Sequence, residues 1–369
     1  MSDRDRTMNI FVHNISSGQT SKVTDFTEFD VKFPSLGKDQ IVFENGGYIY
    51  KLDTRTKKYV KVPVQIANDN AYSRTELKDA SENITSIDLS PNGERVVFAA
   101  RGEIFSLPAK HGITRNLTQS SGAHDRVASW SPDGKYIAWF SDISGEYELY
   151  IQKQDGSENP VSLTPGYKSY LYDLKWSPDS KKILFSDRKM RLQMVDVAGK
   201  KISLLKKSMN TELNDFDWSP DNKWIAFSEN DKNGFGVIHL YSLESGKIHP
   251  VTDNWYESGS PRFSPDGKYL YFTSGRDFNP TFSNIELNIA YTDMVKVYLV
   301  TLAKDTPSPF APENDEVKIK AEKENADENK KDKKGKEDEK EKEKDTKIDV
   351  EGLNSRIITL PVEAMNYRN

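Results

Sequence analysis

The phrase Trp130-Ser131-Pro132-Asp133-Gly134-Lys135-Tyr136 returns along this chain at nearly constant spacing, and that recurrence restricts the fold more than any other feature. Its copies are Leu89-Ser90-Pro91-Asn92-Gly93, Trp176-Ser177-Pro178-Asp179-Ser180, Trp218-Ser219-Pro220-Asp221-Asn222 and Phe263-Ser264-Pro265-Asp266-Gly267, with serines 41, 46, 42 and 45 residues apart. Ser-Pro-Asp-Gly sets a tight turn, because proline presets φ and the aspartate side chain bonds its own backbone two residues on. The aromatic and β-branched residues on either side favour strands. A period of roughly 40 to 50 residues carrying four strands is that of β-propeller blades, so the expected class is all-β with four-stranded antiparallel blades.

One complete repeat predicts strands over residues 126–131, 136–142, 148–153 and 161–164, ending near a Leu-Thr pair. An earlier, degenerate repeat centres on Ser35, and its step of 55 residues to Ser90 is longer than the others. The surplus, Pro63 to Ser81, reads as a seam between two propellers, with a long loop inside one propeller as the alternative. The expected domains are therefore 1–80, the closing blades of a first propeller, and 82–312, the blades of a second. A Lys/Glu-rich insertion then fills 313–349, and 350–369 brings a return strand. The chain reads as starting and stopping in mid-blade, which points to an internal fragment.

Composition excludes several functions. The formal charge is -5 with no separate basic cluster, so a nucleic-acid footprint is missing. No apolar run reaches 18 residues, and Met1 is followed at once by Ser2-Asp3-Arg4-Asp5-Arg6, so neither a membrane span nor a leader is read. With no cysteine, disulfides and thiolate chemistry are excluded. That composition suits a reducing cytoplasm, the periplasm being the alternative. The segment Glu313 to Lys347 holds 14 acidic and 12 basic residues and almost no large apolar one, a mixed-charge spacer that cannot offset its ordering entropy.

No Gly-x-Ser-x-Gly, His-Glu-x-x-His or Gly-x-x-x-x-Gly-Lys-Ser/Thr motif occurs, so no catalytic residue, metal set or cofactor is assigned. His239 alternates with Ile238 and Leu240 and reads as structural; His111, in a polar turn, suits partner docking or plain solvation. A propeller's ligand site is its axial channel, and the residues just before each innermost strand belong there. Those are Phe29 and Asp30, His124 with Asp125 and Arg126, Tyr167 with Tyr170, Glu212, and Tyr256 with Glu257. His124, Asp125, Arg126, Tyr170, Tyr256 and Glu257 are the candidate channel residues, a set suited to stacking on and hydrogen bonding to an extended peptide.

Longer phrases narrow the family. Phe43-Glu44-Asn45-Gly46-Gly47-Tyr48, Pro108-Ala109-Lys110-His111-Gly112, Trp255-Tyr256-Glu257-Ser258-Gly259-Ser260-Pro261, Leu302-Ala303-Lys304-Asp305-Thr306-Pro307 and Arg356-Ile357-Ile358-Thr359-Leu360-Pro361 resemble the non-catalytic half of bacterial tricorn protease homologues. The resemblance implies the end of a six-bladed propeller followed by most of a seven-bladed one. It also implies downstream PDZ and serine-protease domains, homo-oligomeric assembly, and a channel and size filter for peptide substrates and products. The nucleophile of that family lies beyond the matched region, so the chain alone is expected to be inactive. A stand-alone TolB-like propeller acting as a protein-interaction module is the alternative.

Overall fold

A computed structural model of the chain describes residues 1–67, 78–277, 280–283, 288–290, 293–311, 345–365 and 367. The chain divides into two compact units, Met1–Lys78 and Asp79–Asn369. The described residues are almost wholly strand and turn, with short 3-10 turns at Ser81–Asn83 and Asn354–Arg356.

The second unit holds five four-stranded antiparallel sheets, each following chain order. Blade 1 comprises Ile84–Leu89, Arg95–Ala100, Glu103–Pro108 and Arg115–Asn116. Blade 2 comprises Arg126–Trp130, Tyr136–Ser141, Glu148–Lys153 and Val161–Ser162, within two residues of the strands expected from sequence. Blade 3 is Leu171–Trp176, Lys182–Asp187, Arg191–Asp196 and Ile202–Lys207; blade 4 is Phe216–Trp218, Trp224–Asn230, Gly236–Ser242 and Ile248–Pro250. Blade 5 takes Ser258–Phe263, Tyr269–Ser274 and Lys296–Thr301, then completes itself with Ile357–Thr359, which pairs Ile358 with Leu299 across the charged segment.

The first unit has one four-stranded sheet, Val31–Leu36, Gln40–Asn45, Tyr48–Asp53 and Tyr59–Lys61, and a pair formed by Phe11–His13 and Thr20–Lys22. Its degenerate repeat is displaced from the expected anchor. Ser35 lies inside a strand, paired with Val42, and the turn closes two residues later through the Gly37 N–H to Gln40 carbonyl bond of 2.7 Å.

The recurrent turn is held the same way in all five blades. Ser131 Oγ donates to Asp133 Oδ1 (2.7 Å) and accepts the Tyr136 N–H (2.9 Å), while Asp133 Oδ1 also accepts the Lys135 N–H (3.1 Å). Ser90, Ser177, Ser219 and Ser264 repeat the pattern with Asn92, Asp179, Asp221 and Asp266. Burial pushes the carboxyls of Asp133, Asp179 and Asp266 up, but the serine hydroxyls and backbone N–H groups outweigh it and hold all three below their ordinary 3.8. Their stabilisation is present above that value and lost as pH falls through the lowered ones. The triple Asp-to-Ala variant is therefore expected to show a flatter melting temperature against pH between about 5 and 2 than the parent. An unchanged profile would show that acid lability arises elsewhere.

The closing Leu-Thr pairs have a matching cause. Thr164 Oγ1 accepts the Leu149 N–H (2.8 Å), Thr252 Oγ1 the Ile238 N–H (3.0 Å) and Thr118 Oγ1 the Ile104 N–H (3.1 Å), so threonine extends the ladder where the outer strand ends. Leucine or valine beside it is buried: Leu163, Val251 and Leu117. The hydrophobic cores lie between successive blades. Trp130 packs on Val97, Ala99 and Ile104 of blade 1, Trp176 on Phe140 and Leu149 of blade 2, and Trp218 on Leu184 and Leu192 of blade 3.

Residues 313–344 of the expected insertion lie outside the described residues, but its end is seated. Thr346 is buried, its N–H donates to Asp221 Oδ2 (2.9 Å), and a Cβ on Gly267 would come within 2.6 Å of its hydroxyl. Asp133 and Asp179 bond the next turn through Ser180 (3.0 Å) and Asn222 (3.1 Å); Gly267 has no side chain for that task, and Thr346 occupies the place. Replacing 313–344 by a short Gly-Ser linker should change stability by less than about 1 kcal/mol. Extending the replacement through Lys347 should cost about 1–2 kcal/mol more in urea unfolding, since a buried bond is lost.

Candidate functional site at the propeller axis

Alternation along each innermost strand decides what faces the axis. Counting back from the turn serine, the first and third residues of blades 2 to 4 enter the cores, as Trp176 and Leu174 do, while the second and fourth turn the other way; in blade 1 the corresponding Leu89 and Ile87 are exposed. The second residue is Asp88, Ser129, Lys175, Asp217 and Arg262 in blades 1 to 5. The fourth is Ser86, Val127, Asp173, Asp215 and Ser260. Innermost strands of all five blades line one cavity of about 320 Å³, among them Asp88, Ser129, Asp173, Lys175, Asn214 and Arg262.

Most of these side chains bond the neighbouring blade. Asp88 Oδ2 accepts the Trp130 N–H (2.8 Å) and the Ser129 hydroxyl (2.9 Å). Asp217 accepts the Phe263 N–H (2.7 Å) and pairs with Lys175 at 2.6 Å. Asp215 accepts the Ser260 N–H and pairs with Arg262 at 3.2 Å. Asp173 differs: its carboxylate takes only the N–H of Leu174, the next residue, at 2.9 Å. It lines the cavity with its side chain exposed there; the strands packed beside it push its carboxyl above the usual value, with the Leu174 N–H, Lys175 and Arg262 acting in the opposite direction.

The mouth where the innermost strands begin carries the aromatic and charged residues expected from sequence. Arg126 lies 4.2 Å from the Tyr170 ring centre and 4.9 Å from that of Tyr147, a cation–π sandwich. Tyr170 stays 40% exposed and meets Tyr172 edge-on at 5.2 Å. Tyr172 donates to Glu212 (2.8 Å); burial, then that bond, pushes its pKa up to about 12. The His124 ring nitrogen Nδ1 is 2.5 Å from Tyr147 Oη, and His124 lines a second cavity, of about 470 Å³, with Asn83 and Arg101. Tyr256, 39% exposed, faces the Arg276 guanidinium at 5.8 Å in blade 5.

Three of the expected residues are tied up structurally. Asp125 is buried and accepts the Ser120 hydroxyl. Glu257 spends Oε2 on the Gly236 N–H (2.7 Å), at a point where a Cβ on Gly236 would meet the Ser258 carbonyl at 2.5 Å. Tyr167 packs in the core between blades 2 and 3 and donates to Asp187 (2.6 Å). In the first unit, Asp30 accepts the Met8 N–H (2.8 Å). A larger cavity, about 700 Å³, lies off the axis beside His239. Lys206 there pairs with Glu229 at 2.9 Å, and His239 bonds the Val237 carbonyl (3.1 Å) and stacks on Phe227, the structural role expected of it.

The innermost-strand charges were missed by a reading centred on the loops. The signal was available: a charged residue two places before the turn serine in four of five repeats.

Comparison with known families decides the relationship: the tricorn protease second beta propeller domain matches residues 84–369. The chain belongs to that family. The tricorn protease homolog of Saccharolobus solfataricus is 26% identical over 370 residues, covering 100% of this chain and 31% of its own length. The putative tricorn-like protease C-terminal subunit of Sulfurisphaera tokodaii is 26% identical, covering 100% of the chain and 39% of its own. The chain thus spans about a third of the curated tricorn relatives it matches. Among solved structures, the crystal structure of the tricorn protease superimposes with a TM-score of 0.63 at 18% identity, over 100% of this chain and 33% of that one. The five blades described above are the tricorn propeller fold.

Proposed function

We propose that this chain is the non-catalytic propeller portion of a tricorn-like serine protease that degrades oligopeptides, and that it passes and size-filters peptides along the blade axis. The convergence of five innermost strands on one charged cavity carries this reading, because only the axis gathers side chains from every blade. On this reading residues 1–78 close a first propeller, and PDZ and serine-protease domains with further copies of the protein are the partners. Arg126, Tyr170, Tyr172 and Tyr256 form the rim that meets peptide first, by stacking and hydrogen bonding, while Asp125 and Glu257 hold the rim in place.

A hexapeptide carrying a photo-activatable benzophenone tests the reading. Cross-links are expected on rim and innermost-strand residues of blades 2 to 5. Cross-links confined to the outer strands would overturn it and favour a protein-interaction surface instead. The isolated chain is expected to show no peptidase turnover; turnover abolished by a substitution within it would equally overturn the assignment.

A further inference from the structure

We propose that the axial cavity is a subsite for a positively charged group of the threaded peptide, received by the Asp173 carboxylate. The inference rests on the channel reading and adds a substrate preference to it. Two carboxylates, Asp88 and Asp173, and two cations, Lys175 and Arg262, line the cavity, and the carboxylates that neutralise those cations, Asp217 and Asp215, lie outside its lining. Both cations are already paired, Lys175 with Asp217 and Arg262 with Asp215. Asp88 and Asp217 are further bound by backbone N–H groups of the next blade. Asp173 alone among these six has no side-chain partner among the described residues and makes no bond to a neighbouring blade.

The cavity therefore carries an excess of negative charge with one acceptor open. An ammonium or guanidinium group complements it; a peptide C-terminus meets net repulsion. The acceptor is placed by a strand, whose neighbours Leu171, Leu174 and Trp176 are buried, so it needs no rearrangement to receive a ligand. Asp173 serves no structural contact that would account for an ionised carboxylate there, whereas each of the other three carboxylates joins two blades.

Fluorescence anisotropy on the 369-residue chain tests the proposal with three hexapeptides labelled at the C-terminus. One is neutral with a free N-terminal amine, one is the same peptide N-acetylated, and one is N-acetylated with an internal lysine. The free-amine peptide, the lysine peptide or both should bind about tenfold more tightly than the neutral acetylated one at low salt, and which of them does so identifies the source of the cation. D173N should remove the difference and D173E should keep part of it, with both variants as thermally stable as the parent or more so. Equal affinities for all three peptides, or a preference that survives in D173N, overturn the subsite and leave the channel reading standing. Binding of none of the three overturns both.

Discussion

Replacing Asp187 with alanine is expected to lower the unfolding free energy by about 3–5 kcal/mol, because it strands several buried donors at once. Asp187 is fully buried at the end of the second strand of blade 3. Its Oδ2 accepts the Tyr167 hydroxyl (2.6 Å) and the Arg191 Nε–H (2.9 Å), and its Oδ1 accepts the N–H groups of Lys189 (3.0 Å) and Arg191 (3.1 Å). Gln193 also donates to Tyr167, so one carboxylate organises a hairpin and the approach to the innermost strand. Asp187→Asn should retain part of the stability, since the amide keeps an acceptor but loses the charge. Urea unfolding followed by tryptophan fluorescence reads both variants. A loss below about 1 kcal/mol for the alanine variant would show that these donors find water instead.

The same network makes an alkaline prediction. Burial first, and then the bond to Asp187, raise Tyr167 above the ordinary tyrosine value of 10.0. A raised folded-state pKa means that the stabilisation is present below pH 10 and fades as pH climbs toward the folded value. Tyr167→Phe should therefore flatten the decline in melting temperature above pH 10 as well as lowering stability at neutral pH.

Phe227→Ala is expected to cost a similar amount, about 3–5 kcal/mol, through a different mechanism. Phe227 is fully buried in the second strand of blade 4, in the core that joins blades 3 and 4 with Leu184, Leu192, Phe216 and Trp218. The strand is hydrogen bonded on both sides, to Phe216 and to His239, so the backbone cannot collapse into the space left by the ring. Phe227→Leu keeps most of the volume and should cost less than about 1.5 kcal/mol. A small effect of the alanine variant in urea unfolding would mean that blades 3 and 4 can separate without unfolding.

The blade pattern was readable from sequence because its causes are local. Ser131, Asp133 and the Tyr136 N–H bond one another within six residues, and Thr164 acts on Leu149 within the same blade. Such contacts need only the right residues at fixed offsets, so the repeat and its strands could be placed from spacing, and the delayed closing strand Ile357–Thr359 from its likeness to the segment around Val161–Ser162. The rim was half legible. Arg126 and Tyr170 were named separately and meet in a cation–π contact that the sequence did not specify, while Asp125 and Glu257 look identical in sequence to open carboxylates and differ because Ser120 and Gly236 fold against them.

Sequence by itself determined that this protein is built from four-stranded blades and where the turns of the five regular repeats fall, since strand periodicity and turn chemistry are written at short range. The tertiary structure alone decided which carboxylates are consumed. Asp173, Asp215 and Asp217 sit at comparable strand positions with similar neighbours in sequence. Their fates diverge because residues 45 to 47 positions later, in the following blade, bring a backbone N–H or a guanidinium to Asp215 and Asp217 and bring none to Asp173. Offsets of that length have no local signature, so closure of the blades around an axis is what separates a structural carboxylate from an open one.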